Sequence, residues 1–424
     1  MKTSIFIIVF LINIGQLTAQ TDSLKLTLPD AEQVFLQRNF ALLAQKFNIN
    51  LAEAALQQAK LWDNPNLLLE LNAFNPTGNR IFPLTNPSGD INNPSGGAYD
   101  IQIQQVFNLA RNRSKLVALN QSNIELQMAA FQDLMRILRY QLAQTFGNVS
   151  SEQQQLQFLN VQRQQLESLL AGYRAELKLG VVAEYEVTRL ELEQKNSDTD
   201  IKNLLDQISQ DEATLRILLA NQGRTYYIPQ TPIQEIILPS LLTLNEKALD
   251  NRTDLKVTEK QIAYAKRNLV YQQALATPRL TVGIDYQHFG SAYPYYYGLQ
   301  AGIDLPVKNR NQGNIQAAKI GIEQSSQGQN VVRLQVSQDV NSSYEQLQHA
   351  QVLRQNFSDD YLRRIEEVNV NARKNYAART IDLVSFIDKI RAYKDAKLNQ
   401  IQLNNSLFQT QQQLNFVTNS RIFQ

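Results

Sequence analysis

The 424-residue sequence contains no cysteine, which excludes disulfides, zinc–thiolate centres, thiol nucleophiles and a lipid carried on an N-terminal Cys. Proline (12) and glycine (16) are scarce, so long unbroken helices are permitted. Charge of one sign is missing too: 41 Lys and Arg against 39 Asp and Glu leave +2, or +1 once a leader carrying Lys2 departs. No basic run is denser than Arg363-Arg364, so the basic face that a nucleic acid requires is absent. The two histidines, His288 and His349, lie far apart in the chain. Glu345 and His349 stand at i, i+4, the spacing of an ordinary solvated helix contact, and neither a metal site nor a cofactor is expected. No phosphate-binding glycine loop, nucleophile elbow or metalloprotease helix occurs, so the chain does not read as an enzyme. Finally, no apolar stretch reaches the ~20 residues a spanning helix needs.

The apolar run from Ile5 to Ile14, after Lys2 and before Leu17-Thr18-Ala19, reads as an export leader over residues 1–20, cleaved near Ala19 or Gln20. The alternative is a buried N-terminal helix. An exported chain without spanning helices enters a membrane, if at all, as strands.

The rest of the sequence is duplicated. Leu26-Thr27-Leu28 and Leu242-Thr243-Leu244 open the two halves. Pro65-Asn66-Leu67 and Pro278-Arg279-Leu280 follow, 213 residues apart. Arg111-Asn112-Arg113 is echoed by Lys308-Asn309-Arg310 at a separation of 197 residues, and Leu177–Val187 by Tyr376–Phe386 at 199. The shortfall falls in the longer first loop, Ala73 to Ala98. The expected organisation is a first repeat over 21–222, a linker over 223–239 marked by Pro229, Pro232 and Pro239, and a second repeat over 240–424.

Each repeat predicts helix, strand, loop, strand, a very long helix, a break and another long helix. The seam Ile124, Met128, Phe131, Met135, Leu138, Leu142, Phe146, Val149 keeps helical spacing and continues through Leu166, Leu170, Tyr173 and Leu177. Its counterpart is Val336, Val340, Tyr344, Leu347, then Phe357, Tyr361, Ile365, Val368. Tyr173, Tyr361 and Tyr376 are read as packing. The proline-free stretch of about 64 residues predicts a rod of ~96 Å.

Four segments, about 66–74, 99–107, 279–288 and 296–305, alternate with period two. Leu67, Leu69, Ile101, Ile103, Ile284 and Leu299 fall on one face, and Glu70, Gln102, Asp285 and Asp304 on the other. The aromatics Phe74, Tyr293, Tyr295, Tyr296 and Tyr297 suit loops at a membrane interface. Each hairpin alone reads equally well as a soluble sheet with one face on a core. With a leader and two rods, the segments read as tilted membrane strands instead. Four strands cannot close a barrel, and an open edge in hydrocarbon leaves backbone groups unpaired at several kcal/mol each. Strands in lipid therefore require several copies to share one barrel, with Glu70, Gln102, Asp285 and Asp304 lining water.

These residues resemble the TolC family of outer-membrane channel proteins over nearly the whole mature chain. Asn64-Pro65-Asn66-Leu67 and Asn309-Arg310-Asn311-Gln312-Gly313-Asn314 look most like outer-membrane components of resistance–nodulation–division pumps, notably the heavy-metal cation branch. The resemblance implies a mainly α fold with transmembrane β: a homotrimer whose twelve-stranded barrel takes four strands from each copy and continues into a periplasmic tunnel of helical hairpins. It implies location in the outer membrane of a Gram-negative bacterium, contact with lipid, and docking onto a periplasmic adaptor served by an inner-membrane pump of the resistance–nodulation–division type. Unlike many relatives, this chain has no Cys to acylate.

The family's turn motif at the periplasmic tips falls on Leu179-Gly180-Val181-Val182 and on Ala378-Arg379-Thr380-Ile381, making Gly180, Val181, Arg379 and Thr380 candidate docking residues. Arg379 stands where Gly is usual, so the second tip is expected to differ in detail. The family's entrance acids map onto Glu186 in the first half and onto Ser385 and Asp388 in the second; Ser385 stands where an acid is usual, so by the resemblance Glu186 and Asp388 form thinner carboxylate rings that constrict the pore and favour cations. The plain alternative is solvated helix acids. The expected function is passive efflux of small molecules or metal cations. Rival readings are a peptide-secretion conduit, a periplasmic coiled-coil scaffold without a pore, and an exported enzyme acting on envelope polymers.

Overall fold

The computed structural model describes residues 23–75, 79–82, 98–223, 225–231, 238–289 and 293–423. The leader at 1–20, most of the loop from Ala73 to Ala98, and Pro232 with its linker neighbours lie outside the described residues. In chain order the elements are β1 (Ser23–Thr27), α1 (Leu28–Arg38), α2 (Phe40–Lys60), β2 (Asn66–Leu71), the short β3 (Phe74–Asn75) and β4 (Arg80–Ile81), and β5 (Ala98–Asn108). Next come α3 (Asn112–Lys178), α4 (Glu184–Leu218), β6 (Tyr226–Gln230), α5 (Leu241–Asn251) and α6 (Thr253–Leu275). The chain finishes with β7 (Arg279–Phe289), β8 (Tyr293–Ile303), α7 (Gln312–Asn356), α8 (Asp359–Ala377) and α9 (Leu383–Thr418).

Capping decides where the helices start. Thr27 receives the Asp30 amide at the head of α1, and Ser240 receives that of Thr243 at the head of α5. Leu242-Thr243-Leu244 thus lies inside α5, and the counterpart of Thr27 is Ser240, at the same separation of 213 that the prolines show. The two Leu-Thr-Leu runs are out of register by three residues, contrary to the sequence reading.

Helix α3 is continuous for 67 residues, about 100 Å of rise. The second repeat departs from that expectation. Its helix breaks after 45 residues, because Ser358 accepts the Tyr361 amide and starts α8 afresh. Phe357 falls in the break, against Tyr361 at a ring distance of 5.5 Å. Val368 points to solvent, and Asn369 is buried beside it, held to Glu366 and Arg373. Met128 is also exposed, so the apolar seam is narrower than the spacing suggested.

The chain divides into two compact units. One contains the chain up to Asn39, Gln141–Glu235 and Ala350–Gln409. Here β1 and β6 pair in parallel, and Leu170, Leu190, Ala372, Tyr376, Phe386 and Ile387 form a core where the hairpins turn. Tyr376 stacks between Tyr173 and Phe386, which fits the packing role read for these tyrosines.

The other unit contains Phe40–Tyr140, Ile236–His349 and Thr410–Gln424. It holds an antiparallel sheet in the order β2-β5-β7-β8, so the β5–β7 pairing joins the two repeats. Among the described residues β2 and β8 each pair on one side only, leaving two open edges. The unit also buries an ion network: Arg136 meets Asp133 at 2.8 Å, and Arg252 meets Asp254 and, at 2.7 Å, Asp339. Thr253 links the two halves of that network through Arg136 and Asp133.

Candidate functional site

The register sorts the sheet into two faces. Leu67 and Leu69 stand opposite Ile103 and Ile101, which stand opposite Ile284 and Tyr286; these in turn meet Leu299 and Tyr297. This face is apolar and uncovered: Leu299 is 88% exposed and Leu67 65%. Toward one end of the strands it turns aromatic. Tyr99 stacks on His288 with rings 5.2 Å apart, and Tyr286 lies 6.0 Å from Tyr99 and 5.1 Å from Tyr297. Tyr295, Tyr296 and Tyr297 belong to β8 and not to a loop as expected, because β8 starts at Tyr293. Tyr296 pairs with Gln287 and shares the polar face.

The other face is a polar network. Glu70 stands opposite Asp100, Asp100 opposite Gln287, and Gln102 between Leu68 and Asp285. Gln104 donates to Gln102 at 3.0 Å and Gln300 at 3.2 Å, Gln287 donates to Asp100 at 3.3 Å, and Gln102 donates to Asp100 at 2.5 Å. Asp285 is the buried member at 6% exposure; Glu70 is open. Asp304 lies past the end of β8, where Arg279 pairs with it at 2.8 Å. Three of the four residues read as water-lining therefore share one face, and Asp304 is neutralised at the strand base. The same alternation places Asp100, Gln104 and Gln300 on this polar face.

At the strand bases on this polar side lies a groove of about 1260 Å³, lined by Trp62, Arg111, Arg113, Tyr271 and Arg279 among others. The Arg113 guanidinium rests 3.8 Å over the Trp62 ring.

The hairpin turns belong to the other unit. Gly180 adopts φ 70° and Arg379 φ 56°. The Val181 and Thr380 amides donate to Glu176 and Asn375 at 3.0 and 2.9 Å, and the Gly180 and Arg379 amides to Leu177 and Tyr376. Both α3 and α8 thus end in the same left-handed cap. The sequence expectation that Arg379 makes the second tip differ is corrected: Arg379 accepts the geometry that Gly180 adopts freely, and its guanidinium reaches Glu176 at 3.5 Å. Leu179, Val181 and Tyr185 are exposed at the first tip.

The entrance residues have local roles. Glu186 accepts the Ala183 amide at 3.2 Å, capping its own helix. Ser385, its counterpart, donates both its amide and its hydroxyl to Asp382, at 2.8 and 2.9 Å. Those bonds hold the Asp382 carboxyl below its ordinary value. Asp388 is exposed. It adds to the field that keeps the Arg391 guanidinium charged, a field set first by the hydrogen bond from Arg391 to Glu193. The nearby cavity, lined by Gln165, Leu166, Arg373, Phe386 and Arg391, holds only about 50 Å³, room for one or two waters. Among the described residues no group of three or more His, Asp or Glu side chains is placed to hold a metal, and no helix is long and apolar enough to cross a membrane.

Residues 244–420 match the outer membrane efflux protein family. No curated protein matches the sequence. Among solved structures, CusC aligns with a TM-score of 0.69 at 18% identity, covering 92% of this chain and 91% of that one. The outer membrane protein VceC of Vibrio cholerae aligns at 0.72 and 14% identity, covering 93% and 96%. The MtrE outer membrane channel of Neisseria gonorrhoeae aligns at 0.68 and 13%, covering 93% and 89%. The likeness to the TolC family read from the sequence is borne out: the second repeat carries the family's sequence pattern, and the described chain has the channel fold throughout. The matched family is described as one of outer membrane efflux proteins.

Proposed function

We propose that this chain is an outer membrane efflux protein of the TolC family and assembles as a homotrimer, whose shared twelve-stranded barrel and helical hairpins form a passive duct for small solutes, metal cations included. The carrying observation is the four-stranded sheet, with an uncovered apolar face, a hydrogen-bonded polar face and two open edges. Open edges and apolar faces are costly apart and compatible together. In lipid, edge pairing between copies satisfies the backbone, while the apolar face needs no further cover. The aromatic cluster of Tyr99, Tyr286, His288 and Tyr297 at one end of that face suits a headgroup boundary. On this reading a leader over 1–20 is removed, and the repeats 21–222 and 240–424, joined by the linker 223–239, contribute one hairpin pair each. The tips, with Gly180, Val181, Arg379 and Thr380, meet a periplasmic adaptor fed by an inner-membrane pump of the resistance–nodulation–division type. Glu186, Ser385 and Asp388 line the entrance.

The test is extraction from outer membranes in detergent, followed by denaturing gels with and without heating and by reconstitution into planar bilayers. A trimer that dissociates only on heating and conducts ions supports the duct. A water-soluble, non-conducting monomer would establish the scaffold reading. A deletion strain screened against metals, dyes, detergents and antibiotics then identifies the cargo, and loss of peptide export alone would favour the secretion conduit.

A further inference from the structure

We infer that charge selection in this duct is made inside the sheet, by Glu70, Asp100 and Asp285, and that it favours cationic solutes. The inference rests on the duct reading above. Within the four long strands the polar face carries these three carboxylates, and its single cation, Arg279, is already paired with Asp304.

Two features set these acids apart from ordinary solvated ones. Glu70 and Asp100 stand directly opposite each other on β2 and β5, a like-charge pairing that weakens a sheet unless something positive lies between the two. The Asp100 Oδ1 atom is buried with no hydrogen-bond partner. The second feature is Asp285, whose side chain is nine-tenths buried yet receives no hydrogen bond from any described residue. Its carboxylate lies across Gly298 of β8, where a Cβ would overlap it. A carboxylate accepts hydrogen bonds and donates none, so one in this position needs water or a cation at its oxygens. Gly298 supplies the room.

The tips are poorly placed to do the same work. Glu186 is engaged as a helix cap, and its counterpart Ser385 carries no charge. The basic side chains Arg111 and Arg113 border the groove at the strand bases. Six residues separate Arg279 at that base from Asp285, about 20 Å along β7. That is roughly two Debye lengths at 0.1 M salt, so at that ionic strength and above the groove's charges are largely screened from the acids. Three copies sharing a lumen would repeat the acids around it, and a ring of like charge between low-dielectric walls concentrates counter-ions.

The experiment is the reversal potential of reconstituted trimers under a potassium chloride gradient. Wild-type channels are expected to prefer potassium over chloride, more strongly near 0.01 M salt than near 1 M, following the ~30 and ~3 Å screening lengths. The triple variant E70Q/D100N/D285N is expected to conduct with a permeability ratio near one. Glu70 is exposed on edge strand β2, so E70K, which keeps the other two acids, guards against misfolding of the triple variant and should lower the ratio below that of E70Q. A conducting triple variant with the wild-type ratio overturns the inference and leaves the duct intact. A ratio that falls only on D388N does likewise. Wild-type trimers that do not conduct overturn the duct reading itself.

Discussion

Glu152 is the residue where pH reaches the fold. Its side chain is buried, and its Oε2 has no partner. Burial, with Asp211 hydrogen-bonded to it and Glu212 close by, pushes its carboxyl from 4.5 up to about 8. Glu212 is raised as well, by burial, against the opposing pull of Arg216, and burial raises the Tyr226 phenol beside it. The native state thus holds the Glu152 proton more tightly than the unfolded chain does. This contribution to stability is whole below about 4.5 and is lost as pH rises through 8. E152Q, permanently neutral, is expected to be more stable than wild type by roughly 2–4 kcal/mol at pH 9 and equal to it near pH 4. Thermal melts at both pH values check this, and parallel melting of the two proteins across the range would refute it. Arg379 provides a second case. A left-handed conformation costs a side chain about 1 kcal/mol that glycine avoids, and the exposed pair with Glu176 returns little. R379G should therefore slow hydrogen–deuterium exchange at the Arg379 and Thr380 amides about fivefold, and faster exchange would show that the ion pair outweighs the strain.

Among the elements, α3 and α9 make a close approach within one unit. A Cβ on Gly147 would lie 2.7 Å from the Phe408 ring and 2.8 Å from the Asn405 and Gln409 side chains. Gln409 donates to the Gln144 carbonyl at 2.8 Å and to Asn148 at 3.1 Å across the same contact. Glycine inside a helix is a local cost, and here it is offset by packing that no larger residue allows. G147V should destabilise by about 1–3 kcal/mol. G172A, at a glycine on the same helix with nothing within 4 Å, should be neutral or gain up to about 1 kcal/mol. Urea unfolding of the two variants separates these outcomes. The contrast also marks what the sequence discloses. Length, seam and strand alternation are periodic, and period survives in a single chain, so the α3 rod and both faces of the sheet were legible. The break at Ser358 was not, because a serine followed by Asp359 and Asp360 is as common on a wet helix face as at a cap. Nor was the Arg136–Asp133–Thr253–Asp254–Arg252 network, whose members gather from separate helices with no spacing rule to announce them. At the candidate site, alternation placed Glu70, Gln102 and Asp285 on one face, while the capping role of Glu186 and the bonds from Ser385 to Asp382 needed coordinates.

For the whole molecule, the decisive property is that one chain leaves its sheet unfinished. Neighbouring residues of edge strand β2 put this to a test, because Leu69 faces the apolar side, opposite Ile101, and Glu70 the polar side, opposite Asp100. A lysine introduced at Leu69 would sit in hydrocarbon in each of the proposed three copies, at about 2–4 kcal/mol per copy near the bilayer midplane. The same lysine at Glu70 would face water and relieve the like-charge pairing with Asp100. L69K should therefore deplete heat-sensitive trimer from outer membranes, and E70K should leave it at the wild-type level. In a soluble scaffold with its apolar face on a protein core, L69K would still be harmful, but the damage would be to folding in aqueous buffer and would need no membrane. Comparing the two variants in detergent and after transfer to lipid vesicles distinguishes the cases: equal loss of L69K in both media points to a protein core, and loss confined to vesicles points to a lipid-facing sheet.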